Sequence, residues 1–247
     1  MYNNISLHKG DCLEIMKSLQ NKSIDMILCD LPYGTTKNKW DSVIQLDKLW
    51  EQYNRIIKDN GAIVLFAQTP FDKVLGVSNL KMLKYEWIWE KTTATGHLNA
   101  KKMPMKAHEN ILVFYKQLPK YSPQKTKGHL PAHSYTKYSG DGSNYGKTKI
   151  GLSGGGSTER YPRSVQVFKN DKQKIALHPT QKPVLLLEYL IKTYTTEGEI
   201  VLDNCMGSGS TGIACLNCKR KFIGIELDEH YFNIATDRIN QSIQNKS

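Results

Sequence analysis

Short apolar runs alternate along the chain with stretches of helical spacing. Residues 24–29 and 61–66 are nearly continuous apolar runs of strand length, and 85–89, 111–115, 200–202 and 222–225 repeat the type. Residues 13–19, 46–57, 71–83, 184–194, 212–216 and 230–243 carry apolar positions at the spacing of a helix, and residues 5–8 alternate in the manner of an edge strand. Strands that are apolar on both faces and alternate with helices predict an α/β fold around a mostly parallel sheet.

The rhythm breaks over residues 117–174, where no periodicity is convincing. Eight glycines fall within the 29 residues 128–156, interleaved with Ser, Tyr and Lys. Such a length exceeds an ordinary loop. The tyrosines (Tyr121, Tyr135, Tyr138, Tyr145, Tyr161) argue against a disordered linker, which would be poor in aromatics. The segment reads as an inserted module. Charge sharpens that reading. Residues 1–90 hold 11 basic and 11 acidic side chains, and 176–247 hold 7 and 8. Residues 91–175 hold 16 and 4, so the central third carries the whole net charge of +11. Lys-rich composition alone would raise all three blocks, so a polyanionic partner explains the pattern better, and nucleic acid is the expected one. Basic residues interleaved with Tyr and Gly suit a surface that follows phosphates and stacks on bases.

At 247 residues, 39% hydrophobic and 23% charged, the chain has the composition of a globular protein with one substantial core. No apolar run reaches a membrane span's length, and residues 1–6 lack a basic stretch followed by an apolar one. The five cysteines (Cys12, Cys29, Cys205, Cys215, Cys218) form no disulfide framework, which points to the cytoplasm, and no His or Cys spacing fits a metal site.

Two segments carry chemistry. Asp203-Asn204-Cys205-Met206-Gly207-Ser208-Gly209-Ser210-Thr211-Gly212 lies between a predicted strand and a predicted helix, and its glycines fit G-x-G-x-x-G. Glycines there permit a tight turn and close approach to a ligand. Glu226, at the end of the next strand and 19 residues beyond Gly207, is placed to hold ribose hydroxyls. A dinucleotide and S-adenosylmethionine both fit such a loop. Asp203 would repel a pyrophosphate but sit well beside an ammonium, which favours the methyl donor. The second segment, Asp30-Leu31-Pro32-Tyr33, follows the strand ending at Cys29. Ligands gather at carboxyl ends of strands in such sheets. Asp30 and the Leu31 carbonyl could accept hydrogen bonds from an exocyclic amino group, Pro32 fixes the turn, and Tyr33 offers a stacking face to a planar base.

Taken in order, these segments resemble the DNA amino-methyltransferases of the adenine-N6/cytosine-N4 family in the permuted arrangement called the beta group. The resemblance rests on Lys9-Gly10-Asp11-Cys12, then Asp30-Leu31-Pro32-Tyr33, His108-Glu109-Asn110, Arg160-Tyr161-Pro162-Arg163-Ser164-Val165, His178-Pro179-Thr180-Gln181-Lys182-Pro183, and last Asp203 to Thr211. It covers nearly the whole chain apart from about residues 117–158. It implies a Rossmann-like methyltransferase sheet, with residues 1–116 as the catalytic half, 117–175 as a basic target-recognition insertion and 176–247 as the donor-binding half.

It further implies catalysis at Asp30, Leu31, Pro32 and Tyr33. S-adenosylmethionine, the product of which is S-adenosylhomocysteine, would be held by Asp11, Cys12, His178, Thr180, Lys182, Asp203, Gly207, Ser208, Gly209, Ser210, Thr211 and Glu226, with no metal. Lys101, Lys102, Lys106, Arg160 and Arg163 are the candidate contacts to double-stranded DNA. A homodimer is a family-level expectation that no segment of the sequence marks. An Asp at position 30 leans toward adenine within the family, so the expected activity is methylation of adenine N6, of the kind used in restriction-modification, with cytosine N4 as the first alternative and an RNA amino group or a protein side-chain amide as the second. Two departures stand out. Leu31 replaces a Pro, which leaves the backbone carbonyl in place. Asn204-Cys205 replaces Pro-Phe and removes an aromatic ring near the donor.

Overall fold

The computed structural model describes residues 4–34, 44–136, 151, 153–170 and 181–245. The chain divides into two compact units, Met1–Ser122 with Ser164–Ser247, and Pro123–Arg163. In chain order the elements are β1 (Ile5–Lys9), α1 (Cys12–Lys17), β2 (Ile24–Asp30), α2 (Leu46–Ile56), β3 (Ile57–Ala67), α3 (Phe71–Ser78), β4 (Leu83–Thr95), β5 (Lys106–Phe114), β6 (Tyr135–Thr136), β7 (Ser153–Gly154), β8 (Val165–Phe168), α4 (Val184–Tyr194), β9 (Ile200–Asp203), α5 (Ser210–Asn217), β10 (Lys221–Glu226) and α6 (Glu229–Gln244).

The larger unit is built on an eight-stranded sheet in the order β1-β10-β9-β2-β3-β5-β4-β8. β5 runs antiparallel to both of its neighbours, and every other pairing is parallel. The central strands are buried on both faces, which is why they read as continuous apolar runs. Met26, Leu28, Val64 and Phe66 point to one side, into a core closed by α4, α5 and α6. Ile27, Cys29, Ile63 and Leu65 point to the other, against residues of α1, α2 and α3.

Three elements differ from the periodicity. α3 stops at Ser78 rather than at residue 83, because the chain turns through Asn79 to feed β4. β4 and β5 run on as an exposed hairpin past the apolar stretches that announce them. β8 lies inside the stretch where no element is predicted. It pairs with Ile88–Lys91 at the sheet's outer edge, and none of its residues is fully buried, so it leaves no apolar run in the sequence.

The topology decides where chemistry can gather. β1, β10, β9, β2 and β3 are mutually parallel, so Gly10, Glu226, Asp203 and Asp30 all emerge on one edge of the sheet. β2 and β9 are neighbours, and their chains leave in opposite directions across the sheet, which opens a crevice between them. The β4–β5 hairpin rises from this same edge. Asp30 lies level with Phe66, Ile111 and Trp87 across the sheet, and β4 continues from there to Thr95. On the partner arm β5 covers the same span from Ile111 back to Lys106, so the hairpin extends roughly 15 Å beyond the edge at about 3.3 Å per residue.

In the smaller unit β6 and β7 form an antiparallel pair, and Thr126 and Arg160 exchange backbone hydrogen bonds of 3.0 and 2.9 Å. Lys125 pairs with Glu159 and lies over the Tyr161 ring.

Candidate active site

The glycine loop begins where β9 ends. Asp203 is buried, and its carboxylate organises the loop: Oδ2 accepts from Thr211 Oγ1 at 2.6 Å and Oδ1 from the Cys205 amide at 3.1 Å. Burial pushes its pKa up to about 6, against the downward pull of those hydrogen bonds. Gly207 and Gly209 have φ of 51° and 79°. A Cβ at Gly209 would also lie 3.0 Å from that of Ala235, and one at Gly212 would meet Ile239 at 2.6 Å and Phe222 at 2.9 Å. The three glycines thus serve the turn and the close seating of α5 on the sheet and α6.

Glu226 Oε2 accepts from the Gly207 amide at 2.8 Å and Oε1 from the Asp228 amide at 2.9 Å, so it ties the loop to the end of β10. Gly10 donates to the Glu226 carbonyl, which brings Asp11 alongside. Asp11 caps α1, its Oδ1 accepting from the amides of Leu13 and Glu14. Cys12 is buried behind it. Ser208 is buried, with its hydroxyl 3.5 Å from Gln181. Ser210 Oγ is buried without a hydrogen-bond partner among the described residues. A polar atom left unsatisfied beside a glycine turn, two buried carboxylates and a third at a helix cap fit a cationic, ribose-bearing ligand such as S-adenosylmethionine.

At the replaced Pro-Phe positions, Asn204 is buried and its Oδ1 accepts from Tyr53 Oη of α2 at 2.5 Å. This bond fastens the loop from the opposite core. Cys205 packs on the same cluster as Cys12 and Cys29. Burial pushes the Cys29 thiol up to about 12, so it stays protonated at neutral pH and is no nucleophile.

The second segment leaves β2 next door. Leu31 is buried, and Pro32 and Tyr33 are half-buried. The Tyr33 hydroxyl donates to Asp30 Oδ1 at 2.5 Å, and its ring lies 5.2 Å from that of Phe71. Lys182 donates to Asp30 Oδ2 and lies over the Phe66 ring. Burial pushes the Asp30 carboxyl up while the Lys182 ammonium opposes it. Lys182 is thus seated on Asp30, although its resemblance role is donor binding.

Behind it stands Glu109 of β5, 5% exposed. It lies 3.3 Å from Lys182 through Oε2 and 2.5 Å from Lys91 through Oε1. In the sequence Glu109 belongs to a motif without a role of its own, and Lys91 and Tyr53 stand out in no way. The available signal is a carboxylate placed two residues before the apolar run 111–115. His178 and Thr180 lie outside the described residues.

Of the candidate DNA contacts, Lys101, Lys102 and Lys106 are exposed on the β4–β5 hairpin. Arg160 is turned inward within the smaller unit. Its guanidinium donates to the carbonyls of Leu130, Ser157 and Glu159 at 2.5, 2.7 and 3.0 Å. Arg163 is exposed. Among the described residues no helix is long and apolar enough to cross a membrane.

A doubly wound sheet with a glycine cradle and an Asp-Leu-Pro-Tyr turn at adjacent strand ends is the architecture of a Rossmann-like methyltransferase. Residues 24–237 match the family model described as DNA methylase, the N6/N4 methyltransferases. The chain belongs to this family and is a DNA amino-methyltransferase, acting on N6 of adenine or N4 of cytosine. The DNA adenine methyltransferase YhdJ of Escherichia coli (strain K12) is 28% identical, over 93% of this chain and 81% of that protein. Among solved structures, the M1.HpyAVI-SAM complex is 26% identical with a TM-score of 0.67, covering 96% of this chain and 99% of that one. The cytosine-N4-specific PvuII DNA methyltransferase shares the fold at a TM-score of 0.70 and 16% identity, over 98% and 92% of the two chains.

Proposed function

We propose that this protein transfers a methyl group from S-adenosylmethionine to N6 of adenine in double-stranded DNA. The observation that carries the reading is the Asp30 carboxylate, fixed by Tyr33 and Lys182 at the strand end beside the glycine cradle. Bound S-adenosylmethionine supplies an electrophilic methyl on a sulfonium. The chain's own groups do the rest. Asp203, Glu226, Asp11 and the Gly207–Thr211 loop seat the donor. The target base leaves the stack at a cost of a few kcal/mol and enters the crevice beside Tyr33. Asp30 and the Leu31 carbonyl accept the amino hydrogens, which turns the nitrogen lone pair out of conjugation and toward the methyl. Positioning and fixed charge account for the rate, and no covalent enzyme intermediate is needed.

Adenine is favoured over cytosine by Asp at position 30 and by the 28% identity to an adenine methyltransferase. Plasmid DNA methylated by the purified protein, digested and analysed by mass spectrometry, is expected to contain N6-methyladenine. N4-methylcytosine in its place would reverse the choice of base.

The Pro123–Arg163 unit is read as the target-recognition module, and the hairpin lysines as phosphate-binding groups. Replacing Lys101, Lys102 and Lys106 by Ala is expected to weaken binding to all duplexes alike. It should also flatten the slope of log affinity against log salt by about 0.9 for each phosphate no longer neutralised. Replacing residues 123–163 with a Gly-Ser bridge should instead remove the preference for one site. A bridged protein that methylates the original site with unchanged selectivity would place recognition elsewhere.

A further inference from the structure

Asp30 is the end of a buried chain of charges whose far members, Glu109 and Lys91, have no part in the reaction described above. Lys182 and Glu109 are 7% and 5% exposed, and the Lys91 side chain is 8% exposed. We propose that Glu109, acting through Lys182, is a positioning residue for methyl transfer that sets how strongly Asp30 draws protons from the target amino group. This rests on the reading of Asp30 given above.

The geometry carries the assignment. Lys182 stands between two carboxylates but treats them differently. It hydrogen-bonds Asp30, whereas Glu109 Oε2, 3.3 Å away, has ion-pair distance without hydrogen-bond alignment. Lys182 is thereby aimed at Asp30, and Glu109 acts on the pair by charge. The other Glu109 oxygen is held by Lys91 at 2.5 Å. Two cations and two anions cancel in an interior where uncompensated charge is costly. Burial pushes the Glu109 carboxyl up, but Lys182 and Lys91 outweigh it and hold Glu109 below the usual carboxylate range. Burial likewise disfavours the Lys182 ammonium, and Asp30 and Glu109 outweigh it. Both groups therefore stay ionised at neutral pH, and the field at Asp30 is fixed.

That field matters to the chemistry. Once the amino nitrogen has bonded the transferred methyl it holds one proton too many. The electron pair of an N–H bond returns to nitrogen and the proton passes to the Asp30 carboxylate. The groups facing Asp30 are Tyr33 and Cys29 from its own segment, Lys182, Glu109 from β5, and Asp203 from β9. Tyr33 and Cys29 are neutral at working pH, since burial raises both. The balance at Asp30 is thus set by Lys182 against Glu109 and Asp203. Without Glu109 the site gains net positive charge, and Asp30 becomes a weaker base. Without Lys91 the Glu109 charge is less offset, and Asp30 becomes a stronger one.

The test is single-turnover transfer of tritiated methyl from S-adenosylmethionine to plasmid DNA as a function of pH, with donor affinity measured in parallel by calorimetry. Glu109→Gln is expected to move the acid limb of the rate profile to lower pH. It should also lower the maximal rate by roughly tenfold, less than the hundredfold or more that a proton-transfer group itself contributes, with donor affinity retained. Lys91→Gln is expected to move the limb to higher pH. Opposite shifts are the signature, because a merely structural role would lower the rate of both variants without moving either limb. Acid limbs that coincide with that of the unaltered protein overturn the proposal. If Glu109→Gln fails to bind donor because it does not fold, the Lys91→Gln limb decides alone: a rise supports the proposal and an unmoved limb overturns it. Asp30→Ala separates this inference from the one beneath it. Turnover in Asp30→Ala within about tenfold of the unaltered protein sinks the reading of Asp30, whereas a dead Asp30→Ala with unmoved limbs sinks only the role of Glu109.

Discussion

Asp30→Ala is expected to abolish methyl transfer while leaving the protein folded and able to bind both S-adenosylmethionine and DNA. The size of the loss follows from the geometry. In the proposed mechanism Asp30 accepts the amino hydrogens, and a group in that role contributes roughly 10²–10⁴-fold to the rate. That the fold should survive is less obvious, because Asp30 is the hydrogen-bonded partner of a buried lysine. Removing one partner of a buried ion pair is normally expensive, at about 3–5 kcal/mol. Here Lys182 keeps a second carboxylate, Glu109, at 3.3 Å, so its charge is not stranded. Donor binding should persist because the glycine loop is organised by Asp203, Thr211 and Glu226, and not by Asp30. Rapid-quench measurement of labelled methyl on DNA, beside calorimetry of the donor, separates the two effects. Turnover in Asp30→Ala within about tenfold of the unaltered protein would refute the catalytic assignment. Loss of donor binding would mean that Asp30 shapes the cradle as well.

The sequence announces this site unevenly, for physical reasons. Central strands buried on both faces leave apolar runs that no other element mimics at that length, so β2, β3, β9 and β10 are legible, and with them the positions of Asp30, Asp203 and Glu226. The glycine loop is legible because backbone with positive φ packed against a helix tolerates almost nothing else. β8 is not legible, because an edge strand with no buried side chain is indistinguishable from loop. The Lys91–Glu109–Lys182 chain is hidden for another reason. Lys91 on β4, Glu109 on β5 and Lys182 before α4 meet only because β5 folds back antiparallel between β3 and β4, and nothing local in the sequence specifies that reversal. Asp203 is a mixed case. Its residue type and place before the glycines suggest an ammonium partner, while the fold gives both of its oxygens work inside the loop.

Asp203 therefore has two contributions, one of shape and one of charge, and they can be measured apart. Asp203→Ala removes both. Its loss leaves the Thr211 hydroxyl and the Cys205 amide without their acceptor and strips the cradle of a buried negative charge. Hydrogen bonds to charged groups are worth about 1.5–3 kcal/mol, so donor affinity should fall by at least roughly tenfold. Asp203→Asn removes the charge but keeps an acceptor for one of the two donors and nearly the same shape. If the cationic donor is held by charge, Asp203→Asn should bind nearly as poorly as Asp203→Ala. If shape dominates, it should bind nearly as well as the unaltered protein.

The pH dependence gives an independent reading. Burial holds the Asp203 carboxyl at about 6, above the ordinary carboxylate value, so the group is ionised at pH 7 to 8 and becomes neutral as pH falls through about 6. A cation binds the ionised form, so affinity for S-adenosylmethionine should be full above that value and decline below it. Bound donor should in turn favour ionisation and draw the midpoint downward. Glu226, also raised by burial, adds to the decline. Asp203→Asn should retain only that smaller part. Calorimetric affinities measured from pH 5 to 8 for both proteins check this. Parallel curves for the two would show that Asp203 is a structural brace whose charge the donor does not feel.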